Sequence, residues 1–188
     1  MPDPITHFAV PFIAMRLLKK DYKIAVLAGV VGILPDFDVL SRIHRSVTHS
    51  IVLHITIIAI LACILILSKV KSNIRKWILI AVAFGLISHS VMDMFYDYTP
   101  ILYPILQHDI LIHVDVSIHI QEGQIPQILP KLEILLRETN FTPFINFEAS
   151  LTTGQTIIIS ALLLFTVLTE EIYNGINNKR IKLSRKEV

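Results

Sequence analysis

Seven residues able to bind a divalent cation stand at or near the ends of apolar segments of this chain. His7 lies near the start of the first segment, and Asp36 and Asp38 follow the second in Leu34-Pro35-Asp36-Phe37-Asp38. His44 and His49 precede the third in His44-Arg45-Ser46-Val47-Thr48-His49-Ser50, and His89 and Asp93 sit in the last part of the fourth. A neutral imidazole donates a nitrogen, whereas a carboxylate supplies charge and can bridge two ions. Mixed nitrogen and oxygen donors of this kind suit zinc, and less specifically manganese or iron. The four-residue spacing of His89 and Asp93 puts both on one helix face, one turn apart. Pro35 should stop the second helix and present Asp36 and Asp38 from an extended turn, so that both ligate or one orients a histidine. Burying such groups unpaired would cost on the order of several kcal/mol each, so a shared pocket is the economical arrangement.

The elements that would carry these residues are written in the hydropathy. Ile51 to Leu67 is a 17-residue run with only His54 and Thr56 polar, about enough to cross a bilayer core. Trp77 to Tyr96 is a second span, flanked by Trp77 at one end and by Tyr96 and Tyr98 at the other, as an aromatic belt places them. Thr156 to Thr169, extended to Tyr173, is a third. Ile5 to Leu18 and Ile24 to Leu34 are apolar but short, at ~15–22 Å if helical, and suit a hairpin of short or tilted helices around the basic turn 19–23. Residues 1–6 hold no Lys or Arg, so a cleaved signal peptide is not expected.

The basic residues orient these spans. Arg16, Lys19, Lys20 and Lys23, then Lys69, Lys71, Arg75 and Lys76, then Lys179, Arg180, Lys182, Arg185 and Lys186 fall on one side of five alternating segments. By the positive-inside rule that side is the cytoplasm. His7, Asp36, Asp38, His44, His49, His89 and Asp93 all map to the other side, a second signal independent of the first. A basic cytoplasmic tail (177–188) is expected to serve as a topogenic charge cluster.

The whole composition agrees. The chain has 188 residues, 53% hydrophobic and 17% charged, with a mean hydropathy of +0.64. An average soluble domain has roughly 45–50% apolar and about 25% charged residues. A disordered or nucleic-acid-coating chain is excluded, and no nucleic-acid partner is expected. The net charge of +2 implies no anionic partner, and the single cysteine, Cys63, excludes an intrachain disulfide. The expected fold is all-α: one membrane-embedded domain over residues 1–188, a polytopic helical bundle of about three long transmembrane helices plus a short N-terminal helical hairpin. Five of nine prolines fall in 97–155, which reads as an extramembrane excursion. Within it, Ile112 to Ile120 alternates as a strand does, and Ile128, Leu129, Leu132, Leu135 and Leu136 suggest an amphipathic helix over 130–138. His113, Asp115 and His119 read as the polar face of a half-exposed strand rather than a second metal site.

These residues support a resemblance. His7, the Pro35-Asp36-Phe37-Asp38 turn, His44-Arg45-Ser46-Val47-Thr48-His49-Ser50, His89 with Asp93, and a Tyr103-Pro104 turn resemble the YdjM-type family of membrane-bound proteins regarded as metal-dependent hydrolases. The match covers about residues 5–110 and departs at Ser46, where that family commonly has glycine. The order of ligands is more distantly similar to the zinc-dependent phospholipases C and the single-strand-specific zinc nucleases. By analogy the resemblance implies a helical metal site, with zinc as the cofactor, cleaving phosphoesters.

On this reading Asp36 is a bridging ligand or base, His7, His49, His89 and Asp93 are ligands, and Asp38 and His44 are ligands or lie just behind them. Arg45 has the planar fork that suits an anionic phosphate. Asp36, Asp38 and Arg45 are the expected catalytic residues. A site at the membrane boundary makes membrane lipids the expected partners and a lipid or lipid-linked phosphoester the expected substrate. A non-hydrolytic metal-binding or transport protein is the alternative, since intramembrane His and Asp also line ion pathways. A LexA-binding role, also attached to the resembled family, would need a cytoplasmic surface larger than these short basic loops. His54 reads as a helix-packing residue.

Overall fold

A computed structural model describes residues 4–43, 45–120, 125–143, 145 and 154–184. Five helices run in order: α1 (Pro4–Leu17), α2 (Tyr22–Ile33), α3 (Ile51–Leu67), α4 (Ser72–Met94) and α5 (Gly154–Ser184). Two strands, β1 (His108–His119) and β2 (Gln127–Glu138), lie between α4 and α5. The helix starts follow local chemistry. Asp21 Oδ1 accepts from the Ile24 amide at 3.0 Å to cap α2, and Ser50 Oγ accepts from the Val52 amide at 3.1 Å to cap α3.

Small residues let the helices approach. Ala25 and Ala28 of α2, Ala81 of α4, and Phe12 and Met15 of α1 form one buried cluster, and Val31, Val82 and Leu86 form another. In membranes such close packing replaces the hydrophobic drive that holds soluble helices together. Two glycines are required for it: a Cβ on Gly32 would stand 2.4 Å from the His7 carbonyl oxygen, and one on Gly85 would stand 2.6 Å from that of Ala28. α5 packs on α1, where Thr6 Oγ1 and Ser160 Oγ are 3.1 Å apart.

Three helices are long and apolar enough to cross a membrane: Tyr22–Ser41, Ser72–Met94 and Thr156–Gly175. The chain is therefore a mostly helical membrane protein with a short N-terminal helix. Two expectations shift in detail. The segment Ile51–Leu67 is the shorter, 17-residue apolar helix, while α2 reaches spanning length because Pro35 does not end it. The chain continues through Leu34–Ser41 as a 3₁₀ helix, which accepts a proline in its first turn because the proline's missing N–H would have no partner there.

The expected helix over 130–138 is the second correction. β1 and β2 form an antiparallel hairpin in which Ile110 faces Leu136, Ile112 faces Ile134, Val114 faces Leu132, Val116 faces Pro130 and Ile118 faces Ile128. Leu129 and Leu135, on the opposite face, filled in an apparent helical spacing and masked this period of two. The polar face carries His113, Asp115 and His119 against Glu133, Lys131 and Gln127.

Candidate metal centre

The pocket is assembled at one end of the bundle. α1 begins there, α2 ends there in its 3₁₀ extension, α3 is preceded there by a 3₁₀ turn (Val47–His49), and α4 ends there. His7, Asp36, His89 and Asp93 each offer one ligand atom, and these atoms all lie within 4.8 Å of one another. His7 Nε2 is 3.4 Å from Asp93 Oδ1 and 4.0 Å from Asp36 Oδ2; His89 Nε2 is 3.6 Å from Asp36 Oδ1 and 3.5 Å from Asp93 Oδ2. Donor atoms each about 2.0–2.1 Å from one tetrahedral zinc stand roughly 3.3–3.4 Å apart. His49 Nε2 adds a fifth donor, 3.1 Å from Asp93 Oδ2 and 3.7 Å from Asp36 Oδ1. Among the described residues no second group of this kind converges.

Burial makes the set informative. His7, His49 and His89 are fully buried and Asp93 is 1% exposed. Both ring nitrogens of His7, Nε2 of His89, both oxygens of Asp36 and Oδ2 of Asp93 are buried without a hydrogen-bond partner. Buried polar atoms are otherwise nearly always satisfied, and so many orphans aimed at one point are what a cation would resolve. Burial disfavours a charged His49 imidazole, yet hydrogen bonds to Asp36, Asp38 and Asp93 outweigh it and raise its pKa to about 10. The pocket attracts positive charge.

Neighbouring groups fix the ring orientations. His89 Nδ1 donates to the Gly32 carbonyl at 2.7 Å, leaving Nε2 for the pocket. The His7 and His89 rings stack with centroids 3.9 Å apart. Asp38 does not enter the ligand group. Its Oδ2 accepts from the Ser46 amide at 2.7 Å and from Thr48 Oγ1 at 2.9 Å, and stands 3.4 Å from His49 Nδ1. A 3₁₀ helix has about three residues per turn, so side chains two apart diverge, and Asp36 and Asp38 cannot share a direction as an extended turn would allow. Thr48 Oγ1 also lies 3.1 Å from His49 Nδ1. His44 lies outside the described residues.

Arg45 is buried beside this group. Its backbone is left-handed (φ 56°), its Nε is 3.6 Å from Asp93 Oδ2, and its Nη1 donates to Asp97 Oδ2. Its Nη2 is buried without a partner. A non-glycine residue persists in that backbone region only where its surroundings hold it, and here the two aspartates do so. Asp97 was missed by sequence reasoning, although its position four residues beyond Asp93 was a usable signal. His54 is a packing residue as expected, donating Nε2–H to the Thr48 carbonyl at 2.7 Å and thereby steadying the turn that carries His49. Ser50 Oγ donates to the Tyr103 carbonyl, and Ser88 Oγ bonds within α4 to the Gly85 carbonyl at 3.2 Å. Asp109 holds Arg137 and Thr139 at the base of the hairpin.

This disposition of His and Asp on four helix ends meets a direct comparison. The sequence profile described as YdjM inner membrane protein matches residues 1–173. The chain belongs to that family. No curated protein and no solved structure matches it. The match extends well past the motifs over residues 5–110, taking in the hairpin and much of α5, so this YdjM family member shares its whole bundle with the family and not the pocket alone.

Proposed function

We propose that the protein is a membrane-bound metal-dependent hydrolase acting on a phosphoester, with a lipid or lipid-linked substrate, and that zinc is its metal. The observation that carries the reading is the convergence of partnerless, buried donors from His7, Asp36, His89 and Asp93 within 4.8 Å. A bound zinc ion would supply Lewis acidity, polarising a phosphoryl oxygen and lowering the pKa of a ligated water towards ~7. The chain's residues do the rest. His7, His89, Asp36 and Asp93 hold the ion, with His49 as a fifth donor. Asp38 and Thr48 position His49, and Gly32 positions His89. Arg45, its guanidinium held by Asp97 and Asp93, offers Nη2 to an anionic oxygen. Asp36, 11% exposed at its side chain and the least buried of the carboxylates in the group, is placed to accept a proton from an incoming water.

A transport pathway would need ionisable groups at several depths. Among the described residues every buried ionisable group lies at the pocket's end of the bundle or within two turns of it, which favours hydrolysis. The test is metal content and turnover of the purified protein. Wild type should carry stoichiometric zinc and cleave a phosphodiester in a chelator-sensitive, zinc-restored manner. Asp36→Ala and His89→Ala should lose both. Metal-free wild type, or variants that keep their metal, would overturn the reading.

A further inference from the structure

The β1–β2 hairpin has an apolar face that nothing in the chain covers. Alternate residues of a strand share a face, and directly paired residues in an antiparallel register share it too. Val114 with Leu132, Val116 with Pro130 and Ile118 with Ile128 therefore form one continuous aliphatic surface. These side chains stand in the open: Val116 is 60% exposed, Ile118 63%, Ile128 67% and Leu132 67%. A two-stranded hairpin is marginal by itself in water, and exposed aliphatic patches of this kind mark an interaction surface.

We infer that this face lies on the lipid leaflet at the pocket's end of the bundle, as an interfacial β-hairpin beside the metal centre. The argument does not depend on hydrolysis. The hairpin is tied to the bilayer at both ends, because the chain before it leaves the span Ser72–Met94 and the chain after it enters the span Thr156–Gly175. The connecting segment continues the same greasy surface, with Phe95 at 53%, Tyr96 at 59% and Ile105 at 81% exposure. The face is wholly aliphatic along these pairs, without the Tyr, Trp or Arg anchors that enrich protein–protein contacts. The opposite face holds Asp109 against Arg137 at 3.0 Å and Lys131 against Glu133 at 2.9 Å, and suits water. Both strands are edges, and their outer backbone groups could not be satisfied in the hydrocarbon core. The hairpin therefore lies in the interface, side chains inward, and does not insert.

The test uses the full chain with Cys63→Ala, leaving no native thiol, reconstituted into phosphatidylcholine–phosphatidylglycerol vesicles. An environment-sensitive fluorophore is attached at Val116→Cys or Leu132→Cys on one face, and at Ser117→Cys or Lys131→Cys on the other. Ile118→Cys and His119→Cys give an independent pair should any variant fail to fold. The apolar-face probes should be strongly quenched by brominated lipids and several-fold less by aqueous iodide than the polar-face probes, which should show the reverse. Equal iodide quenching of both faces would overturn the inference. So would apolar-face probes shielded from both quenchers at high protein-to-lipid ratio and exposed on dilution, which would mark a second copy as the occupant. Unchanged zinc content in these variants would separate either failure from the fate of the hydrolase reading.

Discussion

At the scale of single residues, Asp38 and Arg45 separate holding a metal from using one. Asp38 touches the Ser46 amide, Thr48 and His49 and none of the other ligand atoms, so its work is to fix the His49 ring. Groups in that position typically contribute 10–100-fold to metal affinity. We expect Asp38→Ala to weaken zinc binding by roughly that factor, measured by competition with a chromophoric chelator, while Asp38→Asn loses less because one acceptor oxygen remains. Arg45 should behave in the opposite way. Replacing it by Met removes a cation near Asp93 and should leave zinc bound. Inhibition by inorganic phosphate should weaken about tenfold to a hundredfold, the worth of one or two charge-assisted hydrogen bonds. Loss of zinc with unchanged phosphate inhibition would reverse this assignment.

At the scale of elements, the precision of the pocket depends on how closely α1 lies against α2. The Gly32 carbonyl orients His89, and its missing side chain leaves room for the His7 backbone. Gly32→Ala would force that backbone away, since a Cβ 2.4 Å from a carbonyl oxygen has no flexible neighbour to displace. We expect a loss of about 1–3 kcal/mol in stability, typical of overpacking, together with loss of zinc. Gly29→Ala is the control: its Cβ would meet the Phe8 ring, a side chain that can turn aside, so zinc should remain. Differential scanning fluorimetry beside metal analysis reads both. The sequence was legible where one face decides the element. Spans and ligand-bearing helix ends follow from apolar runs punctuated by His and Asp, and the alternation over 112–120 named β1 correctly. It was misleading where both faces carry leucine, as at Leu129 and Leu135, because period two and period 3.6 then fit the same residues. Pro35 misled for another reason: a proline ends an α-helix from within but starts a 3₁₀ turn comfortably, and only the fold reveals which. Asp38 was placed near the pocket but its direction was not readable, since it depends on that backbone choice. The partnership of Arg45 with Asp97 joins residues 52 apart and needed the packed bundle to be seen.

At the scale of the whole molecule, the charges and the pocket occupy opposite ends. Lys20 lies over the Trp77 ring at 3.5 Å, where the α1–α2 turn meets the start of α4, and Arg16 lies over Tyr22 at 4.3 Å. Such cation–aromatic pairs suit a headgroup boundary, and they sit at the end of α4 away from His89 and Asp93. If the Lys-rich end faces the cytoplasm, the metal centre opens on the other side of the inner membrane. A membrane-impermeant chelator added to intact spheroplasts should then strip zinc as fast as it does from detergent-solubilised protein, whereas the same chelator applied outside inverted vesicles should not. In the Cys63→Ala background, an impermeant maleimide should label Ser117→Cys in spheroplasts and Lys71→Cys only in inverted vesicles. The two readouts are coupled by the fold, because β1 follows α4 at the pocket's end and Lys71 precedes α4 at the other. Zinc accessible from the side that labels Lys71→Cys would contradict the bundle itself; a joint reversal of both would keep the bundle and reject the charge-based orientation alone.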